Sequence, residues 1–174
     1  MGRFSNFLSA VFSKDLAIDL GTQNTRLSIK GYSGTESELS VVAAKWDNQG
    51  KWKVLGAGFF ALRELRSPPD AVEPIRSLNG KVFASTEIVE AMLRHCISRA
   101  NSSWKPRIVF CVPAGLVAEE KDRVMKAAQR AGAREIYLLE GILAAAIGAD
   151  VPVWDSTPNM VVDIGAGSTD IGKH

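Results

Sequence analysis

Cysteine, histidine, charge of one sign and long apolar runs are all scarce in this 174-residue chain, and each scarcity closes off a class of function. Cys96 and Cys111 are its two cysteines, and they lack the spacing of metal ligands. They read as small buried hydrophobes of a reducing compartment. His95 and His174 have no neighbouring Ser, Cys or acid arrangement from which a nucleophilic catalytic set is built. Lys and Arg total 21 against 19 Asp and Glu, so no basic excess exists with which to grip nucleic acid. No run approaches the roughly 18 apolar residues of a membrane-spanning helix. The N-terminus lacks a signal peptide's apolar core and cleavage site. What is present is 46% hydrophobic residues, enough for a real core, in a length that suits one full domain and a fragment of another.

The most informative text occurs twice. Leu16-Ala-Ile-Asp19-Leu-Gly21-Thr22-Gln23-Asn24-Thr25 is an apolar strand ending in an acid, then a glycine and hydroxyl-rich turn. Val161-Val162-Asp163-Ile-Gly165-Ala-Gly167-Ser168-Thr169 repeats the layout near the end of the chain. Glycine lets backbone N–H groups approach an anion closely, and hydroxyls add donors, so both turns suit phosphate. The aspartates repel phosphate directly, which makes a divalent cation with its bound waters the natural intermediary. Two such turns a domain's length apart resemble the phosphate clamp of the actin-like ATPase superfamily.

At the N-terminus, Phe4, Phe7, Leu8, Val11 and Phe12 repeat at helical spacing, with Ser5, Asn6, Ser9 and Ser13 opposite. A helix this short needs a surface to fold against. One reading packs it on its own domain; the other lays it flat on a membrane with its phenylalanines among acyl chains. Arg3 and Lys14 add a little attraction for anionic lipid, and linked copies would gain avidity. The myristoylation pattern fails at Asn6, where Ser or Thr is required.

The remaining chain predicts mixed α/β structure. Strands are expected at 15–20 and 24–31, joined as a hairpin, then at 39–45. Residues 45–70 predict a small β insertion and a short helix over 59–65, closed by the loop Ser67-Pro68-Pro69-Asp70. Helices follow at 86–100, 117–131 and 141–149, with strands at 107–112, 135–139 and 159–164. Ser85 or Thr86 is a cap candidate, Gly132 a helix stop, and Glu119–Arg123 an i,i+4 pair. Strand and helix alternating at this spacing imply a right-handed parallel crossover. Gly56-Ala-Gly58-Phe-Phe-Ala61 matches a dinucleotide fingerprint, but no βαβ unit surrounds it. Asn79-Gly80-Lys81 resembles the end of a P-loop, yet the earlier glycine's position holds Ile75. The four tryptophans are not interleaved with basic residues and read as packing groups.

From Phe7 to Ile171 the chain resembles the first half of the MreB family of bacterial actin homologues. The resemblance rests on Asp15-Leu-Ala-Ile-Asp19-Leu-Gly-Thr-Gln-Asn-Thr25, Ser40-Val-Val-Ala43, Val109-Phe-Cys-Val-Pro113, Ala131-Gly-Ala-Arg-Glu135 and 144–149. It implies the first domain of an actin-like ATPase (ribonuclease H-like) fold with a small inserted subdomain, truncated before the second domain is complete. Subdomain IA would span 15–44 and 72–150, subdomain IB 45–71, with an amphipathic helix at 1–14 and a linker and first strand of subdomain IIA at 151–174. The family's nucleotide-binding positions correspond to Gly21, Thr22, Gln23, Asn24, Gly165, Gly167, Ser168 and Thr169. Asp19 and Asp163 would approach Mg2+ through water. The amphipathic start is similar to the membrane-binding helix of Gram-negative members, assigning that role to Phe4, Phe7, Leu8, Val11 and Phe12.

Departures from the family matter as much. Members carry two adjacent glutamates before a proline, the second positioning the attacking water; this chain reads Glu140-Gly141-Ile142, placing glycine at the catalytic position. Glu140 is the remaining candidate, but one residue along a helix start points about 100° away. The resemblance therefore implies a cytoplasmic cytoskeletal protein for cell shape, peripheral to the inner membrane, with weak ATP and Mg2+ binding and negligible turnover. Its partners would be the membrane, itself or a full-length paralogue. Two alternatives stand beside this reading: a non-hydrolysing regulator or cap of such a paralogue, and the ATP-binding half of a sugar or acetate kinase-like enzyme. The strand at 159–164 is expected to have no sheet to join.

Overall fold

The computed structural model describes residues 15–66, 72–100, 105–154 and 158–173. The expected anchor, with Phe4, Phe7, Leu8, Val11 and Phe12, lies outside the described residues. In chain order the elements are β1 (Leu16–Leu20), β2 (Asn24–Ile29), β3 (Thr35–Leu39), β4 (Val41–Trp46), β5 (Trp52–Ala57), α1 (Phe59–Arg66), β6 (Val72–Arg76), β7 (Leu78–Asn79), β8 (Val82–Phe83), α2 (Thr86–Arg99), β9 (Arg107–Val112), α3 (Ala118–Ala131), β10 (Glu135–Glu140), α4 (Gly141–Gly148), β11 (Met160–Ile164) and β12 (Thr169–Lys173).

The central sheet runs β10-β9-β1-β2-β3. β1, β9 and β10 are parallel, while β1-β2-β3 is an antiparallel meander. Alternation decides which face is buried: Leu16, Ile18 and Leu20 of β1 and Ile108, Phe110 and Val112 of β9 all enter one core. α2 lays Ile88, Met92, Leu93 and Cys96 onto that face, and α3 adds Val124, Ala127, Ala128 and Ala131. Each large apolar side chain fully buried there contributes about 1.5–3 kcal/mol. Gly132 ends α3 at φ +116°, a left-handed conformation that glycine adopts without cost. The ion pair along α3 is Lys126–Asp122, at 2.6 Å, rather than the expected Glu119–Arg123, whose side chains stay exposed.

β3 went unpredicted because Thr35-Glu-Ser-Glu38 lacks apolar alternation; it is an edge strand with three exposed residues in succession. A second sheet, β5-β4-β6, carries the edge-on Trp46–Trp52 pair with ring centroids 4.9 Å apart. It runs from Val41 to Arg76, beyond both ends of the 45–71 segment, because β6 pairs along its whole length with Val41–Lys45 of β4. The dinucleotide-like glycines precede α1, but its first free N–H, from Phe59, donates to Glu38 Oε2 at 2.9 Å. A Cβ on Gly58 (φ +61°) would also meet Glu38 and His95, so an internal carboxylate fills the place an anion would take.

The expectation of an orphan strand at 159–164 is corrected. β11 pairs antiparallel with β12 over its full length, Met160 opposite Lys173 and Ile164 opposite Thr169. The sequence hid this partner because Thr169-Asp-Ile-Gly-Lys173 is polar and short. Gly172 lies tightly against Ile142 of α4, which holds the hairpin to the first domain.

Candidate functional site

The first turn is built from its own backbone outward. Gly21 N–H donates to the Asn24 carbonyl at 3.2 Å, and a Cβ on Gly21 would stand 2.7 Å from that oxygen, so the turn requires glycine. Ser40 N–H donates to Gln23 O at 2.9 Å, and the Arg76 guanidinium donates to Thr22 O at 2.8 Å. Below the turn, the buried hydroxyls of Thr25 and Ser40 bond each other at 2.8 Å, leaving neither unsatisfied. The loop's carbonyls are thereby held by the protein.

The second turn has the same closure. Gly165 N–H donates to Ser168 O at 2.9 Å. Gly167 packs against Thr22 and the Gly80 N–H, and Gly80 N–H donates to Thr22 Oγ1 at 3.0 Å. A side chain on Gly167 would separate the turns. Lys81 reaches Asp170 at 2.5 Å, tying β12 to the β7–β8 turn.

Between the turns lies a cleft of about 350 Å³. Its lining holds Gly21, Thr22, Gln23, Asn24, Gly165, Gly167 and Ser168, together with Asp19 and Asp163. Thr169 does not line it; that residue opens β12. Gly141 faces the cleft, whereas Glu140 lines a neighbouring groove between α4 and the β11–β12 hairpin. The first residue of α4 thus presents no side chain to the cleft. An added Cβ on Gly141 would find its nearest neighbour, Val112 O, at 3.7 Å, an ordinary contact.

Sequence reasoning missed Arg26, Gly80, Lys81 and Asp170. Arg26 was legible from hairpin register, since it stands directly opposite Asp19. Gly80 and Lys81 belong to the P-loop-like text set aside above; they serve the site as a bridge between turns instead. No group of three or more His, Cys, Asp or Glu able to enclose a metal occurs among the described residues. Two acceptor carboxylates on one cleft fit a hydrated cation carried in by phosphate, as Mg2+ prefers, and not a protein cage. Burial pushes the thiols up, Cys96 to about 12 and Cys111, on the cleft wall, to about 11, so neither is a nucleophile at neutral pH.

A mixed sheet in the order β10-β9-β1-β2-β3, with a second glycine turn closed against its first hairpin, defines an actin-like fold. The structure aligns with that of MreB5 of Spiroplasma citri bound to ADP at a TM-score of 0.77 and 23% identity, covering 92% of this chain and 48% of that one. It aligns with a subunit of the MamK double helical filament at 0.71 and 24%, covering 91% and 49%. In sequence, the MreB/Mbl protein family matches residues 13–172. The chain is 42% identical over 166 residues to the cell shape-determining protein MreB of Escherichia coli K12, and 38% over 164 residues to the cell shape-determining protein Mbl of Bacillus subtilis 168. Each alignment covers 92% of this chain and 48% of the relative. This chain belongs to the MreB/Mbl family. It spans about half the length of the relatives it matches.

Proposed function

We propose that the chain supplies the phosphate-binding half of the nucleotide cleft of a cell shape-determining, filament-forming protein on the cytoplasmic face of the membrane. One observation carries this reading: two turns closed by the same glycine hydrogen bond face a single cleft and are joined through Gly80, Gly167 and Thr22. Hydroxyls, and the N–H groups other than those of Gly21 and Gly165 that close the turns, within 21–24 and 165–168 would receive the phosphates of ATP. Asp19 and Asp163 would accept hydrogen bonds from the water shell of Mg2+, which neutralises phosphate charge. The relatives' names supply the cell-shape role, and the ADP-bound and filamentous neighbours supply the nucleotide and self-association.

Division into subdomains at 15–44 with 72–150 and at 45–71, and a lipid-binding helix at 1–14, belong to the same reading. The exposed apolar side chains Met160, Ile164 and Ile171 favour docking of the hairpin on a second copy or a longer paralogue. Catalysis by this chain is not part of the proposal. In-line attack on a γ-phosphoryl group needs an orienting group worth roughly 10²–10⁴-fold, and Gly141 offers no side chain.

Calorimetric titration with ATP–Mg2+, GTP–Mg2+ and pyrophosphate tests the reading. Comparable binding of all three is expected, weakened by Thr22→Ala and Asp163→Ala; absence of binding by any of them would overturn it. A phosphate-release assay on wild type and Gly141→Glu tests the catalytic part, and steady turnover by wild type contradicts it. Liposome co-sedimentation of wild type and Phe7→Asp tests the anchor, with equal pelleting the contrary result.

A further inference from the structure

We propose that Arg26 is a phosphate-binding residue of the cleft that lets polyphosphate bind without a divalent cation; this rests on the nucleotide reading above. Three carboxylates line the cleft, Asp19, Asp163 and Asp170, and among the described lining residues Arg26 is the cationic one. Left alone, three carboxylates repel a polyphosphate, and a divalent ion is the usual remedy. The neighbouring cations are already engaged: Lys81 with Asp170 at 2.5 Å and Arg76 with the Thr22 carbonyl at 2.8 Å.

Arg26 is differently placed. In the β1–β2 ladder it stands opposite Asp19, so both side chains leave the same face, beside the first phosphate turn. Its contact with Asp19 is a single bond at 3.3 Å, longer than a tight charge-assisted bond, and its side chain is 62% exposed. The guanidinium borders the cleft, and its planar fork of donors matches two oxygens of a phosphate. The equivalent pair of the second hairpin is Asp163 opposite Asp170, two acids, so the cation is particular to the first turn.

Two consequences follow from this geometry. Arg26 offsets the charge of Asp19 from within the protein, and it donates to the anion directly. Asp19 then has opposite effects in the two conditions: it accepts from the metal's water shell when Mg2+ is present, and it competes with phosphate for Arg26 when Mg2+ is absent.

Pyrophosphate and ATP are titrated into the full chain by calorimetry, in Mg2+ and in EDTA, for wild type, Arg26→Leu, Arg26→Lys and Asp19→Asn. Wild type is expected to retain binding in EDTA. Arg26→Leu should lose roughly tenfold to a hundredfold in EDTA and less in Mg2+, with Arg26→Lys recovering part. Asp19→Asn should bind more tightly than wild type in EDTA and more weakly in Mg2+. Unchanged thermal melting of each variant, expected for exposed positions, excludes loss of fold. Equal binding by wild type and Arg26→Leu in EDTA, or loss of all wild-type binding in EDTA with binding intact in Mg2+, overturns the role of Arg26 alone. No wild-type binding in either buffer overturns the nucleotide reading and this proposal with it.

Discussion

The hairpins β1–β2 and β11–β12 close their turns with the same glycine-to-carbonyl hydrogen bond, yet Leu20 at the end of β1 is 2% exposed and Ile164 at the matching place in β11 is 78% exposed. Turn chemistry is local: Gly21 and Gly165 make the same closure in either setting. Burial is a property of neighbours. β1 has a strand on each side and shares one buried core with α2 and α3, whereas β11 has β12 on one side and α4 nearby. The closing hydrogen bond of such a turn therefore needs only its own sequence, while its position relative to the other turn depends on a few tethers, chiefly Thr22, Gly80, Gly167 and the Lys81–Asp170 pair.

The comparison breaks most visibly at its apolar ends. Leu20→Ala should cost roughly 2–5 kcal/mol, whereas Ile164→Ala should change stability by no more than about 0.5 kcal/mol. Urea denaturation of the two variants checks this, and equal losses would mean that β11 is buried in solution by something the chain supplies.

The glycines sharpen it next. Gly21→Ala forces a Cβ to within 2.7 Å of the Asn24 carbonyl inside a packed sheet and should cost roughly 1–3 kcal/mol. At Gly165 the equivalent distance is 3.2 Å in an exposed hairpin free to shift, so the loss should stay below about 1 kcal/mol. Thermal melts of both variants decide whether the common closure is under common constraint.

Much of this contrast was legible in the sequence, and the reasons for the rest are physical. Apolar runs marked β1 and β9 and helical patterning marked α2 and α3, because each presents one face to a large core. The repeated Asp-x-Gly text marked both turns, because close backbone approach restricts residue choice. β3 and β12 were invisible because an edge strand made of Thr, Glu, Ser, Asp and Lys carries no apolar period. Gly80 and Lys81 fail the P-loop spacing, and nothing else in their local text marks them; only tertiary contact brings them to Thr22, Gly167 and Asp170. Arg26 was missed because its meaning lies across the ladder, in its register with Asp19, and not along the chain.

The tethers differ as well. Lys81→Met removes the cation from Asp170, which then faces Asp163 across β11–β12 as a like charge. Amide exchange over 160–173 should quicken, with global stability falling by about 1 kcal/mol or less; unchanged exchange would remove Lys81 from the account. The first hairpin has its own tether, Asp15, whose carboxylate accepts two bonds from Arg107 at 2.9 and 2.6 Å. Those bonds hold its pKa below the ordinary 3.8, against the opposing effect of burial. Its contribution is therefore complete above about pH 4 and is lost as pH falls through the lowered folded value. Arg107→Gln should flatten the acid limb of stability against pH, and an unaltered limb between about pH 2 and 5 would contradict it.

The central claim is that the two turns, unlike in burial, act as one phosphate site. Hydrogen–deuterium exchange of the chain with and without ATP–Mg2+ tests it most directly. Protection should appear together in residues 21–24 and 165–168, at the same nucleotide concentration, and should weaken together in Asp163→Ala. Protection confined to one turn, or absent from both at concentrations where calorimetry detects binding, would contradict the account.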